Sequence, residues 1–323
     1  MNGKKTRNKM MKIAAVLGIV IMGVVGISGC LGGQKNTIKV SGAFSLYPMM
    51  VIWVEEYQKL HPDIKIEVSS GGAGKGMNDA ITGTVNIGMV SRDIAPGEAS
   101  QGVVWVSVVE DAVLATINTE NPVIENILRN GLTQQQLREI FINGTITTWG
   151  QLVNSTNTDP IRVYTRSDPC GAAETWAKYL GNYTQDDFTT KASKVKDDPG
   201  VAGAVKGDRF GIGYNNLNYV YSSDTKEPYE GIKPVPLDLN ENGTIDPEEN
   251  FYTTRDDIVN AEINNALPSP PSRYIYLVTK NEFTGDTKEF VRWILTDGQQ
   301  YVFNGGYGTL TNETIAKQLQ LLG

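Results

Sequence analysis

Residues 238–249, DLNENGTIDPEE, carry oxygen-bearing side chains at the intervals of a calcium-binding loop. Asp238, Asn240 and Asn242 stand at positions 1, 3 and 5, and Gly243 supplies the turn at 6. Thr244 offers a carbonyl at 7, Asp246 stands at 9 and Glu249 closes the ring at 12. Ca²⁺ is a hard cation that takes about six to eight oxygens, so the pattern predicts a calcium site. The plainer reading of the same residues is an acidic surface turn. Residues 233–237 before the loop read as extended rather than helical, which predicts a structural metal and not the paired-helix switch of a calcium sensor.

Other reactive residues are few. His61 is the single histidine, which excludes multi-histidine zinc sites and leaves one candidate for Ser-His-Asp catalysis. It precedes Pro62, where a helix end is the simpler role. The adjacent carboxylates Glu55 and Glu56, or Asp256 and Asp257, point in different directions on a helix or strand and are poorly placed to share a substrate. These residues argue against an enzyme.

Three segments instead bring small residues directly into a helix start: SGAFSLYP around Ser45, SSGGAGKGM over residues 69–77, and TRSDPCGAAETW, in which Arg166 precedes Gly171. Free amide N–H groups at a helix start, backed by the helix dipole, favour an anion. Ser45 is expected to cap the helix that runs on to Leu60. The loop over 71–76 fits neither a Walker pattern nor a dinucleotide fingerprint, because Lys75 is followed by Gly76.

The first residues address the compartment. Lys4, Lys5, Arg7, Lys9 and Lys12 precede a glycine-studded apolar run over 13–27, and small residues lead to Cys30. This predicts an export signal with a lipobox over 1–29, lipidation of Cys30 and a tether over 30–37, with the mature protein anchored on the outer face of the cytoplasmic membrane. Calcium outside cells would fill even a site with a dissociation constant of about 10⁻⁴ to 10⁻³ M. Removing those five cations from the 29 Lys and Arg leaves 24 against 36 Asp and Glu, a net charge of −12. Nucleic acid is therefore excluded as a partner. With Cys30 lipidated, Cys170 has no disulfide partner.

Short β-rich runs alternate with amphipathic segments along the rest of the chain. Residues 64–68, 103–109, 113–117, 161–165, 210–214 and 274–279 read as strands. Met50, Trp53, Val54 and Tyr57, and likewise Ala173, Trp176, Ala177 and Leu180, form stripes at helical spacing. The alternation predicts an α/β fold with helices on both faces of the sheet.

In the order of these segments, from SGAFSLYP and SSGGAGKGM through NIGMVSRD, LTQQQLREIF, IRVYTRSDPCGAAETW and RFGIGYNN to FVRWILTDGQQYVFNGGYG, the chain resembles the phosphate-binding proteins of ABC importers within the periplasmic-binding-protein superfamily. The resemblance implies a two-lobed, type II fold with a ligand cleft between the lobes. Lobe 1 would comprise 38–117 and 268–323, and lobe 2 would comprise 118–267 with the calcium loop as an insertion. It implies an oxyanion ligand, phosphate first, and permease subunits in the membrane as partners. The ligand-binding positions implied are Ser45 and Leu46, Ala73 and Gly74, Ser91 and Arg92, then Arg166, Cys170, Gly171 and Ala172. Ala73, Cys170 and Ala172 depart from the hydroxyl residues of the family, and a thiol is a weak donor. Tungstate, molybdate or a small organic anion is the alternative ligand, and a calcium-dependent cell-surface module the alternative class. Asp93, beside Arg92, would matter if it faced the ligand, because a carboxylate accepts a bond from protonated phosphate.

Overall fold

The structure is a computed structural model and describes residues 37–323. The export signal, Cys30 and nearly all of the tether lie outside the described residues. Among those described, no helix is long and apolar enough to cross a membrane.

The chain opens with β1 (Thr37–Gly42), α1 (Tyr47–Leu60), β2 (Lys65–Ser70), α2 (Ala73–Ile81), β3 (Ile87–Val90) and the short α3 (Pro96–Ala99). A sixteen-residue strand, β4 (Val103–Asn118), leaves this part. There follow α4 (Ile124–Asn130), α5 (Gln134–Arg138), β5 (Arg162–Arg166), α6 (Gly171–Tyr179), β6 (Ser193–Val195), α7 (Asp198–Gly207), β7 (Gly211–Asn216), β8 (Ile232–Pro234) and α8 (Arg255–Ile263). The return strand β9 (Ser272–Lys280) leads to α9 (Gly285–Leu295) and α10 (Asn312–Leu322).

The strands line up as β2-β1-β3-β9-β4-β7-β5-β6, with β8 also on β4. β1 pairs in parallel with β2 and β3, and β5 pairs in parallel with β6 and β7. β4 and β9 run antiparallel between these two halves. The chain thus forms two lobes, each with its own core. Val40, Ile87, Trp53, Val106, Leu277 and Phe290 belong to the first, and Val113, Phe141, Trp149, Trp176, Ile212 and Ile258 to the second.

The predicted stripes are core-facing. Met50, Trp53 and Tyr57 of α1 are buried, and so are all four of Ala173, Trp176, Ala177 and Leu180. Burying one such large apolar side chain contributes about 1.5–3 kcal/mol, enough to fix which face each helix presents. His61 ends α1, stacked on the Tyr57 ring at 4.2 Å.

Two expectations are corrected. Residues 103–109 and 113–117 are one continuous strand, because the charged pair Glu110–Asp111 that interrupts the apolar pattern is accommodated by tertiary partners: Asp111 lies opposite Arg273 of β9, and Glu110 bridges to Gly308. The strand also changes core earlier than expected. Val108 and Val109 pack in the first lobe, whereas Ala112 to Ile117 pack in the second, so the changeover falls at Glu110–Asp111 and not after Ile117.

Candidate functional site

The three loop-to-helix junctions meet where the lobes face one another. Gly42 ends β1 at φ +137°, and a Cβ on Gly76 would lie 2.5 Å from the Met89 carbonyl and 2.8 Å from the Gly42 Cα. The glycines at 42 and 76 are therefore required by close backbone packing between β1, α2 and β3. Lys75 turns back along its helix to Asp79, which also accepts from Ser41 Oγ at 2.6 Å. Gly72 and Gly74 face Pro169 of the other lobe. Ala73 is buried as the first residue of α2.

In the first junction a 3₁₀ turn over Phe44–Leu46 precedes α1, and the N-cap is Leu46, without a side-chain cap bond. Ser45 is therefore not the expected cap. Its carbonyl accepts from the Tyr307 hydroxyl at 2.5 Å, while its buried Oγ has no hydrogen-bond partner among the described residues. The Phe44 ring lies 5.6 Å from the Arg166 guanidinium of the other lobe.

Arg166 ends β5 with its side chain 1% exposed. Nε donates to Asp168 Oδ1 at 2.9 Å and Nη2 to Asp168 Oδ2 at 2.5 Å. Nη1 sits 2.8 Å from Asp198 Oδ2, a second, buried ion pair. Burial opposes the charge on Arg166, yet the hydrogen bond with Asp168 and the surrounding negative groups outweigh it and raise its pKa. For Asp168 burial is likewise outweighed, by Arg166, and its carboxyl stays below the usual range. Asp198 is pushed upward, chiefly by burial.

α6 begins at the same place. Cys170 is its N-cap, with Sγ accepting from the Ala173 amide at 3.4 Å. Burial pushes the thiol up to about 12, so it stays neutral and unreactive near neutral pH. A Cβ on Gly171 would overlap the carbonyl and hydroxyl oxygens of Ser91, which ties the residue after β3 in one lobe to α6 of the other. Ala172 is buried beside it.

Arg92 and Asp93 point elsewhere. Arg92 grips both carboxylate oxygens of Glu98 at 2.9 and 2.6 Å. Asp93, largely exposed, reaches Lys178 of α6 at 2.5 Å, an ion pair across the lobes. Both line a cavity of about 360 Å³ with Glu174, Lys178 and Tyr276. Ser45, Gly72, Gly74, Ser91, Arg166 and Gly171 are thus drawn together, and Arg92 is turned aside to its acidic partner.

The sequence reading missed a second guanidinium. Arg273 of β9 is buried, and its Nη2 donates to Asp111 Oδ2 at 3.1 Å and to Asn216 Oδ1 at 2.5 Å. Asn216 in turn donates to Asp198 Oδ1 at 2.7 Å, so a bonded chain runs from Arg166 through Asp198 and Asn216 to Arg273 and Asp111. The available signal was an arginine opening an apolar strand. Its meaning depended on Asp111, 162 residues away.

The calcium-patterned loop lies against α4 and α5. Ile245 donates to the Arg129 carbonyl at 3.0 Å, and Asp238, Leu239 and Glu241 share a cavity with Gln134, Tyr179 and Pro268. Asp238 accepts from the amides of Asn242 and Gly243, and Glu249 from those of Leu239, Asn240 and Asp246. Both carboxylates are buried, and neither forms an ion pair among the described residues. No three His, Cys, Asp or Glu side chains among the described residues are grouped so as to hold a metal by themselves.

A family model described as the PBP superfamily domain matches residues 31–297. The phosphate-binding protein PstS of Methanocaldococcus jannaschii is 25% identical over 89% of each chain. That of Pseudomonas aeruginosa is 24% identical over 90% of this chain and 88% of its own. A substrate-binding protein from Clostridium perfringens, solved with bound phosphate, superposes with a TM-score of 0.68 at 24% identity, over 85% of this chain and 100% of its own.

Proposed function

The chain belongs to the PBP (periplasmic-binding-protein) superfamily, and from that premise we propose that it is the extracytoplasmic substrate-binding lipoprotein of an ABC importer, capturing an oxyanion, phosphate first. The observation that carries this reading is the meeting, at the lobe junction, of the buried Arg166 guanidinium with the buried Ser45 Oγ, which has no hydrogen-bond partner among the described residues. Buried donors are nearly always satisfied, and a hydroxyl left over where helix starts and a guanidinium converge calls for an acceptor-rich ligand. The names of the relatives from M. jannaschii and P. aeruginosa support phosphate as that ligand. Arg166 would give the charged contact; the amides of Leu46, Ala73, Gly74, Gly171 and Ala172 and the hydroxyls of Ser45 and Ser91 would complete the shell. Cys30 would carry the lipid that holds the receptor beside its permease.

The alternative ligands, tungstate, molybdate or a small organic anion, are favoured by Ala73, Cys170 and Ala172, which supply no strong side-chain donor. Thermal shift against a panel of these anions decides. Phosphate is expected to raise Tm most, by an amount that grows with its concentration. A protein that responds to calcium and to none of the anions would be a surface interaction module instead.

Calcium belongs to the same proposal. Asp238, Asp246 and Glu249, the side-chain oxygens of Asn240 and Asn242, and the Thr244 carbonyl would hold it. The supporting observation is that the patterned side chains close on one another, Asn240 and Asn242 both reaching Asp246 Oδ2 at 2.9 and 2.8 Å. The ion would brace the second lobe.

A further inference from the structure

We propose that Asp111, where the crossing strands change lobes, is a positioning residue that takes up a proton when the anion binds. The inference rests on the oxyanion reading above. The bonded chain across the lobe junction contains two guanidiniums, Arg166 and Arg273, and three carboxylates, Asp168, Asp198 and Asp111. Fully ionised, the cluster is one charge negative before any anion arrives. Adding a further negative charge to a buried, low-dielectric cluster is strongly unfavourable unless a proton comes with it.

Geometry selects the carboxylate. Asp168 holds Arg166 with both oxygens and accepts from the Asp197 amide at 3.0 Å. Asp198 has Arg166 on one oxygen and Asn216 on the other. Asp111 has the least side-chain support: Oδ2 shares Arg273 Nη2 with Asn216, and among the described residues no side chain donates to Oδ1. The groups that face it are Arg273 of β9, Asp198 at the start of α7, the amides of Leu217 and Ala112, and Glu262 of α8, with Tyr219 and Tyr307 on the side of the Ser45 loop. Burial first, and Asp198 after it, raise Asp111 to about 7 against the pull of Arg273. Glu262 is raised well above the usual carboxylate range, by burial first and then by Asp111 and Glu110. Asp111 is therefore the member of the cluster poised to change charge near neutral pH.

Asp111 and Arg273 are register partners on the two strands that join the lobes. A proton on Asp111 weakens its claim on Arg273, whose Nη1 already leans toward the Gly171 carbonyl at 3.4 Å and whose buried Nε has no acceptor among the described residues. Loss of one carboxylate charge also strengthens the field of both guanidiniums at the start of α6. Proton, anion and lobe contact are thereby linked through one bonded chain.

The test is titration calorimetry of the full mature protein with inorganic phosphate, from pH 6 to 8.5 and in two buffers of different ionisation enthalpy, on wild type and Asp111→Asn. Phosphate's own titration is common to both proteins and cancels in their difference. Wild type is expected to take up roughly half a proton more than the variant at pH 7, and its affinity to fall about tenfold more between pH 6 and 8. Identical proton uptake and identical pH profiles in the two proteins overturn the inference while leaving the anion reading intact. Absence of phosphate binding at every pH overturns both. Should the variant fail to fold, ¹³C-aspartate NMR of wild type supplies the same answer: an aspartate titrating near 7 must move upward on adding phosphate, and one that does not move refutes the coupling.

Discussion

Replacing Arg166 by lysine separates the charge of this residue from its shape. The guanidinium spans two carboxylates at once, meeting Asp168 at 2.9 and 2.5 Å and Asp198 at 2.8 Å. A lysine keeps one positive charge but presents a single ammonium, which cannot bridge both aspartates and still reach an anion. The ligand then loses at least one hydrogen bond to a charged group, about 1.5–3 kcal/mol. That corresponds to roughly a 10- to 150-fold rise in the dissociation constant for phosphate. Lysine is preferable to alanine because removing all charge here strands Asp198 in the interior, at a cost of about 3–5 kcal/mol in stability that would obscure the binding effect. Calorimetry with inorganic phosphate, beside a thermal melt of the unliganded protein, reads both quantities. Binding within twofold of wild type in Arg166→Lys would refute the assignment of Arg166 as the charged contact.

Other perturbations follow from the same geometry. Gly171→Ala puts a methyl group into the Ser91 carbonyl and hydroxyl. It should leave α6 folded yet hold the lobes apart, seen as a larger radius of gyration with phosphate present and at least about tenfold weaker binding; a compact, tightly binding variant would be the contrary result. The double substitution Cys170→Ser with Ala172→Thr supplies two missing donors and should tighten phosphate binding by about tenfold or more. No gain would mean the site has been built for another anion. Chelating calcium should lower Tm and leave phosphate affinity nearly unchanged, checked by a melt and a titration with and without chelator; a large loss of affinity would place the loop in the binding machinery. The pH dependence of stability has a definite sign. Asp111 titrates near 7 when folded, above its ordinary 3.8, so the folded state holds the extra proton, and stability is fully present below about pH 4 and lost as pH rises through 7. Between pH 5.5 and 8 this group alone removes about 2 kcal/mol, and Asp111→Asn should flatten that part of the Tm profile.

Local chemistry was legible in the residues themselves. The stripes of α1 and α6 follow from side-chain spacing within a few turns, and the loop-to-helix junctions at Ser45, Gly72 and Gly171 follow from small residues placed before helix formers. Both are effects of neighbours along the chain, so order and type suffice. Tertiary structure decided what depends on partners far away. Glu110–Asp111 reads as a break in a strand until Arg273 and Gly308 are brought opposite. Arg92 reads as a free cation until Glu98 takes its guanidinium, and Gly76 reads as part of a ligand loop until the Met89 backbone is found against it. A buried charge is tolerable only beside its counter-charge, and which counter-charge that is depends on strand register and lobe packing, quantities that no run of adjacent residues contains.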